Sequence, residues 1–347
     1  METRIIKIDR ERIDEGLMEE AATIIRKGGT VAFPTETVYG LGANGLDEEA
    51  VKKIYKAKGR PSDNPLILHI SSMEELKPLV DEISEEARLC IEKFWPGPLT
   101  IIFKKSGMIP DIITAGLDTV AIRMPDHPIA AKLIAKAQVP IAAPSANLSG
   151  KPSPTKASHV IEDMMGRIDM IIDGGDTGVG LESTVLDLST EIPTILRPGG
   201  ITLEDLREVI PSVIQDASIT DSQKVPKSPG QKYRHYAPEA EMLLFSGSVE
   251  AIVEEINKRA RELMEEGKKV GILATEETRD KYPQGLVLVV GSREREETIA
   301  HNLFDVLRSF DEEKVDIILA EGVGYNHLGM AIMNRMLKAA SGKIIKL

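Results

Sequence analysis

The chain reads as an α/β protein in two parts, a mixed-sheet domain followed by a smaller parallel α/β domain. Three observations lead there. Residues 1–210 alternate short apolar runs with helical patterns. Some of those runs lie too close together to admit a helix between them, as from 184 to 196, which calls for hairpins and so for a mixed sheet. From Pro211 to Pro238 the pattern fails, and beyond Met242 a cleaner alternation resumes. At 347 residues there is length for two domains. The expected division is 1–210, a linker over 211–238, and 239–347.

Taken in order, the first part offers strands at 30–33, 66–70, 99–103, 120–124, 141–143, 170–173, 184–188 and 194–196. Each is a short run rich in Val, Ile, Leu or Phe. Helices are predicted at 18–27, 48–57, 85–94, 129–137 and 203–209, where apolar residues recur three or four apart. The linker holds Pro211, Pro226, Pro229 and Pro238, several serines and no apolar period. It is longer than ordinary connections. In the second part, 242–245, 270–274, 286–290 and 315–319 read as strands. Ser248 is placed to cap a helix whose inner face is Val249, Ile252, Val253, Ile256, Ala260 and Leu263. Further helices are expected at 299–310 and 330–340, giving a parallel sheet with crossovers.

Composition narrows the function. Hydrophobic residues make up 42%, enough for ordinary cores, and aromatics only 4%, too few for stacking platforms along single-stranded nucleic acid. A net charge of −12 argues against nonspecific nucleic-acid binding as the main task. The single cysteine, Cys90, lies on a predicted amphipathic helix and reads as core, not as a metal or disulfide residue. The opening METRIIKIDRERID lacks the apolar stretch of a signal peptide, and no later run approaches a membrane span, so a cytoplasmic protein is expected.

Against this acidic background one basic cluster stands out. Lys52, Lys53, Lys56, Lys58 and Arg60 fall within nine residues that contain no acid. Lys52, Lys53 and Lys56 read as a solvated helix face. Gly59 and Pro61 should end the helix and leave Lys58 and Arg60 on a turn before a buried strand, where they suit a polyphosphate or carboxylate ligand. Gly40, Gly42 and Gly45 match GxGxxG in spacing. A dinucleotide loop follows its strand at once, however, and here the strand ends at Pro34. Thr35, Glu36 and Thr37 at that strand end can hydrogen-bond a small polar ligand or simply serve a turn.

Thr119, Ala121 and Arg123 share one face of a strand. A buried Arg123 needs an anionic partner, either a substrate carboxylate or a structural acid. Ser145 and Asn147, in the small-residue run 142–150, offer polar contacts to phosphate or ribose, and Ser153 continues the loop. Gly-rich residues 174–180 lead to Ser183 and Thr184, and Arg197 closes another strand. No GxxxxGK[ST] loop, Ser-His-Asp set or metal-ligand spacing is evident. The chemistry therefore rests on cations and hydroxyls, suited to positioning and charge stabilisation of phosphoryl groups.

In combination, Lys58-x-Arg60-Pro, Asn64-Pro-Leu, His69, Trp95-Pro-Gly-Pro-Leu-Thr100, Arg123-Met-Pro125, Ala143-Pro-Ser145-Ala-Asn147-x-Ser149-Gly150, Glu182-Ser183-Thr184-Val185 and Arg197-Pro-Gly199 resemble the YrdC-type threonylcarbamoyl-AMP synthases. The resemblance covers about 15–210. The tail, with Gly329-Met-Ala-Ile-Met-Asn-Arg335, resembles the long form that appends a small Rossmann-like domain. It implies a twisted mixed sheet around a concave, positive cavity. It also implies a reaction: L-threonine and bicarbonate form a carbamate that attacks the α-phosphate of ATP, giving threonylcarbamoyl-AMP and pyrophosphate. The product would feed a separate transferase that modifies adenosine in tRNA. By the same resemblance Lys58, Arg60, Ser62, Thr119, Ser145, Asn147, Ser153, Arg197 and Tyr233 match ATP-binding positions. Thr35, His69, Arg123, Ala143 and Ser183 match L-threonine-binding positions. Mg²⁺ is implied by the triphosphate, not by a protein motif.

Two other readings compete. Family relatives have been considered double-stranded RNA binders, a role that the acidic balance opposes. Carbamoyl transfer of the hydrogenase-maturation type shares the cavity fold but carries zinc-finger segments that one cysteine cannot supply. Direct tRNA binding stays open. The linker's end, with Lys232, Tyr233, Arg234 and His235, is expected to close over the cavity as a lid.

Overall fold

The computed structural model describes residues 2–219 and 235–347. They fall into two compact units, one of residues 2–149 and 153–219, the other of 150–152 and 235–347.

The first unit is built on an 11-stranded mixed sheet. Its strands are β1 (Arg4–Lys7), β2 (Val31–Phe33), β3 (Gly40–Asn44), β4 (Ile67–His69), β5 (Leu99–Lys104), β6 (Thr119–Arg123), β7 (Ile141–Ala142), β8 (Met170–Asp173), β9 (Thr184–Asp187), β10 (Thr194–Arg197) and β11 (Ile214–Gln215). Their order is β1-β8-β2-β3-β7-β4-β6-β5-β9-β10-β11. Hairpins such as β2–β3 and β9–β10 run antiparallel, and β4–β6 and β5–β9 run parallel.

Helix Glu15–Arg26 shows how the sequence fixes this frame. Asp14 caps it by accepting from Leu17 N at 2.9 Å. Met18, Ala21, Ala22 and Ile25, spaced three, one and three apart, form its buried stripe. That stripe packs with Ile129, Leu133 and Ile134 of helix Pro128–Ala137 and with Val31 and Phe33 of β2. Each such large aliphatic side chain contributes roughly 1.5–3 kcal/mol on burial, so this core anchors the loop that leaves β2. Helix Glu48–Lys58 starts at the Asp47 cap and stops at Gly59, whose φ of 63° suits glycine. Lys52, Lys53 and Lys56 are exposed on it, as expected, and Lys58 is its last, buried residue and not part of a turn.

The second unit carries a five-stranded, all-parallel sheet, ordered β14-β13-β15-β12-β16. The strands are β12 (Glu241–Ser246), β13 (Val270–Ala274), β14 (Leu286–Val289), β15 (Ile317–Glu321) and β16 (Ile344–Lys346). Helices Val249–Glu265, Glu296–Glu312 and Leu328–Ala339 make the crossovers. Ser248 caps the first, accepting from Ala251 N, and Ile252, Ile256 and Ala260 face the sheet.

Four strands and three helices, Met73–Leu76, Asp111–Thr114 and Ala157–Met164, were not legible in advance. β1 buries only Ile6, between charged ends. β3 is Gly-Leu-Gly-Ala-Asn, with no β-branched residue. It holds because it lies between β2 and β7; a Cβ at Gly42 would meet both Phe33 and Ile141 at 2.7 Å. Gly42 therefore serves close strand packing, and because residues 40–44 form a strand the GxGxxG spacing does not make a phosphate-binding turn. β11 and β16 are very short, and helix Ala157–Met164 lacks a side-chain cap. β11 also corrects the linker's start, because residues 214–215 pair parallel to β10 where no regular element was expected. At the linker's other end Tyr236 is buried, stacked on Phe304 at 5.2 Å between ring centroids. Lys232, Tyr233, Arg234 and the proposed closing segment lie outside the described residues.

Candidate active site

The site begins as a row across the sheet. Parallel register sets His69 of β4 beside Arg123 of β6, and antiparallel register sets Arg123 beside Thr100 of β5. Two residues down the same face lie Ile67, Ala121 and Ile102, which pack with Val185 and Leu196. The period-2 rule thus gives one face an apolar floor that turns polar at one end of the strands.

Arg123 is 4% exposed and its guanidinium is held from several sides. Nε donates to Gly97 O at 3.2 Å and Nη1 to Thr37 Oγ1 at 2.9 Å. Nη2 lies 2.6 Å from Glu36 Oε1. Thr37 in turn shares a 2.9 Å hydrogen bond with Thr35, whose hydroxyl donates to Val38 O. His69 is buried, and burial with the Arg123 charge beside it pushes its imidazole down to about 3. It is neutral at physiological pH and able to offer or accept a hydrogen bond. Nδ1 makes no hydrogen bond among the described residues.

On the other side of Arg123, Thr100 Oγ1 and Ser183 Oγ lie 2.7 Å apart. Arg197 donates from Nε to Ser183 O at 3.1 Å and from Nη2 to Ser183 Oγ at 3.2 Å. Gly199 lets the strand end pass this close, because a Cβ there would collide with the backbone of Glu182, Ser183 and Thr184. Glu182 accepts from the Ser153 hydroxyl. Further along, Lys58 Nζ donates to the carbonyls of Ser145 and Asn147, the latter at 2.6 Å, and Ser145 Oγ donates to Asn147 Oδ1 at 2.6 Å. The loop after β7 is thereby fixed to the end of helix Glu48–Lys58. Ala143 N bonds Ile67 O at 3.0 Å, which seats that loop beside β4.

Of the sequence-derived candidates, Thr35, His69, Arg123 and Ser183 are thus joined by register or by chains of hydrogen bonds, and Ala143 borders them. Lys58, Ser145 and Asn147 form a second group, and Ser153 and Arg197 connect through Glu182 and Ser183. Thr119 shares Arg123's face at the far end of β6 and is partly exposed. Ser62 is exposed on the turn after Gly59, and Arg60 donates to the carbonyl of Pro65 at 3.2 Å. Tyr233 lies outside the described residues. Sequence reasoning offered Glu36 and Thr37 only as polar contacts or turn residues at a strand end, and gave no role to Thr100 or Glu182. The last two stand inside the motifs that carry the family resemblance, which was the available signal. Among the described residues no group of three or more His, Cys, Asp or Glu side chains is placed to hold a metal ion. No helix of the described residues is long and apolar enough to cross a membrane.

Comparison with known proteins identifies the family. Residues 23–199 match the family model for Sua5, YciO and YrdC proteins, described as telomere recombination. Residues 201–341 match the C-terminal domain of threonylcarbamoyl-AMP synthase. A threonylcarbamoyl-AMP synthase of Pyrococcus abyssi is 53% identical over 345 residues, 99% of each chain. One from Bacillus subtilis is 52% identical over 328 residues, 94% of each. The crystal structure of P. abyssi Sua5 complexed with L-threonine aligns with a TM-score of 0.94 at 51% identity, over 99% of this chain and 100% of that one. With both domains matched and the polar row in place, the chain belongs to the Sua5-type threonylcarbamoyl-AMP synthase family.

Proposed function

We propose that this protein makes L-threonylcarbamoyl-AMP from L-threonine, bicarbonate and ATP, releasing pyrophosphate, for threonylcarbamoylation of adenosine in tRNA. One observation carries the reading: a buried arginine stands between a neutral histidine and a pair of hydroxyls at the polar end of an otherwise apolar sheet face. That set suits a small hydroxy-amino acid. Arg123 takes the carboxylate, which a planar guanidinium can meet at two points. Thr35, His69, Ser183 and the Ala143 backbone surround the rest. Lys58, Arg60, Ser62, Thr119, Ser145, Asn147, Ser153, Arg197 and Tyr233 serve ATP. These residues act by positioning and charge, holding the carbamate oxygen against the α-phosphate, and no covalent intermediate with the protein is needed.

Mg²⁺ fits as a companion of the triphosphate: the nucleotide side offers hydroxyls, an amide and cations, so its ligands would come from phosphate oxygens and water. Its chemistry would be charge neutralisation on the phosphates. A cytoplasmic location suits a product consumed by a tRNA-modifying transferase. The segment around Tyr233 is offered as the lid that keeps water from the intermediate.

The test is pyrophosphate release. It should require ATP, Mg²⁺, bicarbonate and L-threonine together, and valine, lacking the hydroxyl, should support it at least tenfold less well. Equal release with valine would refute the assigned pocket.

A further inference from the structure

The buried pair of Arg123 and Glu36 has hydrogen-bonding capacity left over. Their side chains are 5% and 13% exposed, and Nη2 lies 2.6 Å from Oε1. The approach is off-axis, however. Neither oxygen of Glu36 nor Nη2 of Arg123 makes a hydrogen bond among the described residues. His127, whose charge state Glu36 influences, is also buried, and among the described residues neither ring nitrogen makes a hydrogen bond. Burial holds its imidazole down at about 4, so at neutral pH it gives Glu36 no standing cation.

A buried carboxylate without donors is costly, and a ligand that supplies them recovers the loss. The ligand must meet two opposite demands within a few ångströms, an anionic group for the guanidinium and cationic N–H donors for the carboxylate. An α-amino acid zwitterion carries that pair of charges on one carbon. The loop is built to hold Glu36 still. Its carbonyl accepts from Gly178 N at 3.0 Å and from Val179 N at 2.7 Å, and the hydroxyls of Thr35 and Thr37 tie the flanking residues together.

We propose that Glu36 recognises the α-ammonium of the substrate while Arg123 takes its α-carboxylate, so that the pocket selects the zwitterion over a simple hydroxy acid. This rests on the reading of Arg123 as the carboxylate contact. A plain carboxylate brought to Arg123 meets the like charge of Glu36, whereas the ammonium of a zwitterion neutralises it. Glu36 therefore does more than orient Arg123.

The experiment is calorimetric titration with L-threonine and with (R)-3-hydroxybutyrate, which is threonine without its amine, the weaker ligand being read by competition. The wild-type protein should prefer threonine at least tenfold. Glu36→Gln should weaken threonine at least tenfold and leave hydroxybutyrate unchanged or tighter, so that the preference collapses. Glu36→Asp, which keeps the charge, should retain part of it and serves if the glutamine variant fails to fold. Equal weakening of both ligands would overturn the proposal, since a purely mechanical support of Arg123 predicts that result. Unchanged binding of both would overturn it too. Arg123→Lys is the control: if it leaves threonine binding intact, the reading of Arg123 has failed, whatever Glu36 does.

Discussion

Each unit buries an arginine–glutamate pair at the end of its sheet, and the two pairs are built differently. In the second unit Glu321, the last residue of β15, is 1% exposed. Its Oε1 accepts from Thr278 and from Tyr282 at 2.6 Å, and its Oε2 from Thr275 at 3.2 Å and from Arg293 at 2.6 Å. Burial and the neighbouring Glu321 raise the Tyr282 hydroxyl well above its ordinary range and keep it a donor. In the first unit Glu36 has the same 2.6 Å approach to an arginine and, among the described residues, no hydrogen bond at either oxygen. A carboxylate saturated by the protein is a structural part, because nothing remains for a ligand to supply. One left unsaturated keeps acceptor capacity that a ligand's donors can use, which is the basis of the proposal for Glu36.

Removing Glu321 is the strongest way to break this contrast. Glu321→Ala removes the acceptor that Arg293 and three hydroxyls share and should destabilise the second unit by about 3–5 kcal/mol. The single tryptophan, Trp95, lies in the first unit. Urea unfolding followed by circular dichroism should therefore shift further than unfolding followed by tryptophan fluorescence. Equal, small shifts would mean that the network is dispensable.

Acid probes the opposite pair. His127 has a folded value of about 4, below its ordinary 6.5, so the unfolded chain takes up the proton first. Its contribution is complete above about pH 6.5 and is lost as pH falls towards 4, to a total of about 3 kcal/mol. His127→Gln should flatten the fall in denaturation midpoint between pH 7 and 4.5. Parallel curves for wild type and variant would show that this imidazole does not drive the acid response.

The smallest effect comes from trimming Glu321's donors one at a time. Tyr282→Phe leaves three of four and should cost about 1–2 kcal/mol in the same urea experiment, with no change in threonine binding. A loss of threonine binding would contradict the assignment of the two networks to separate tasks.

Much of the frame was legible. Residues 85–94, 170–173 and 270–274 have the bounds that their patterns predict, because their apolar spacing agrees with the face they bury. β3 was missed for the converse reason. Its glycines carry no propensity for a strand, and neighbours on both sides supply what the local sequence lacks. The site candidates came from motif resemblance, which names positions but not their partners. Arg123 illustrates the limit: strand alternation places it on a face and solvation physics demands an anion nearby, without saying whether that anion is protein or ligand.

The sequence by itself determined the α/β class, the two-part organisation and the exposed basic helix face, and its family motifs named a set of polar candidates. The first three follow from local periodicity, helix caps and composition, which act over a few residues. Only the tertiary structure decided which of those residues meet. Register across β4, β6 and β5 sets His69, Arg123 and Thr100 in one row, and a loop 87 positions earlier in the chain brings Glu36 to Arg123. The physical reason is that hydrogen-bond satisfaction is a property of three-dimensional neighbours. Glu36 and Glu321 are the same residue type, and only packing makes one saturated and leaves the other open.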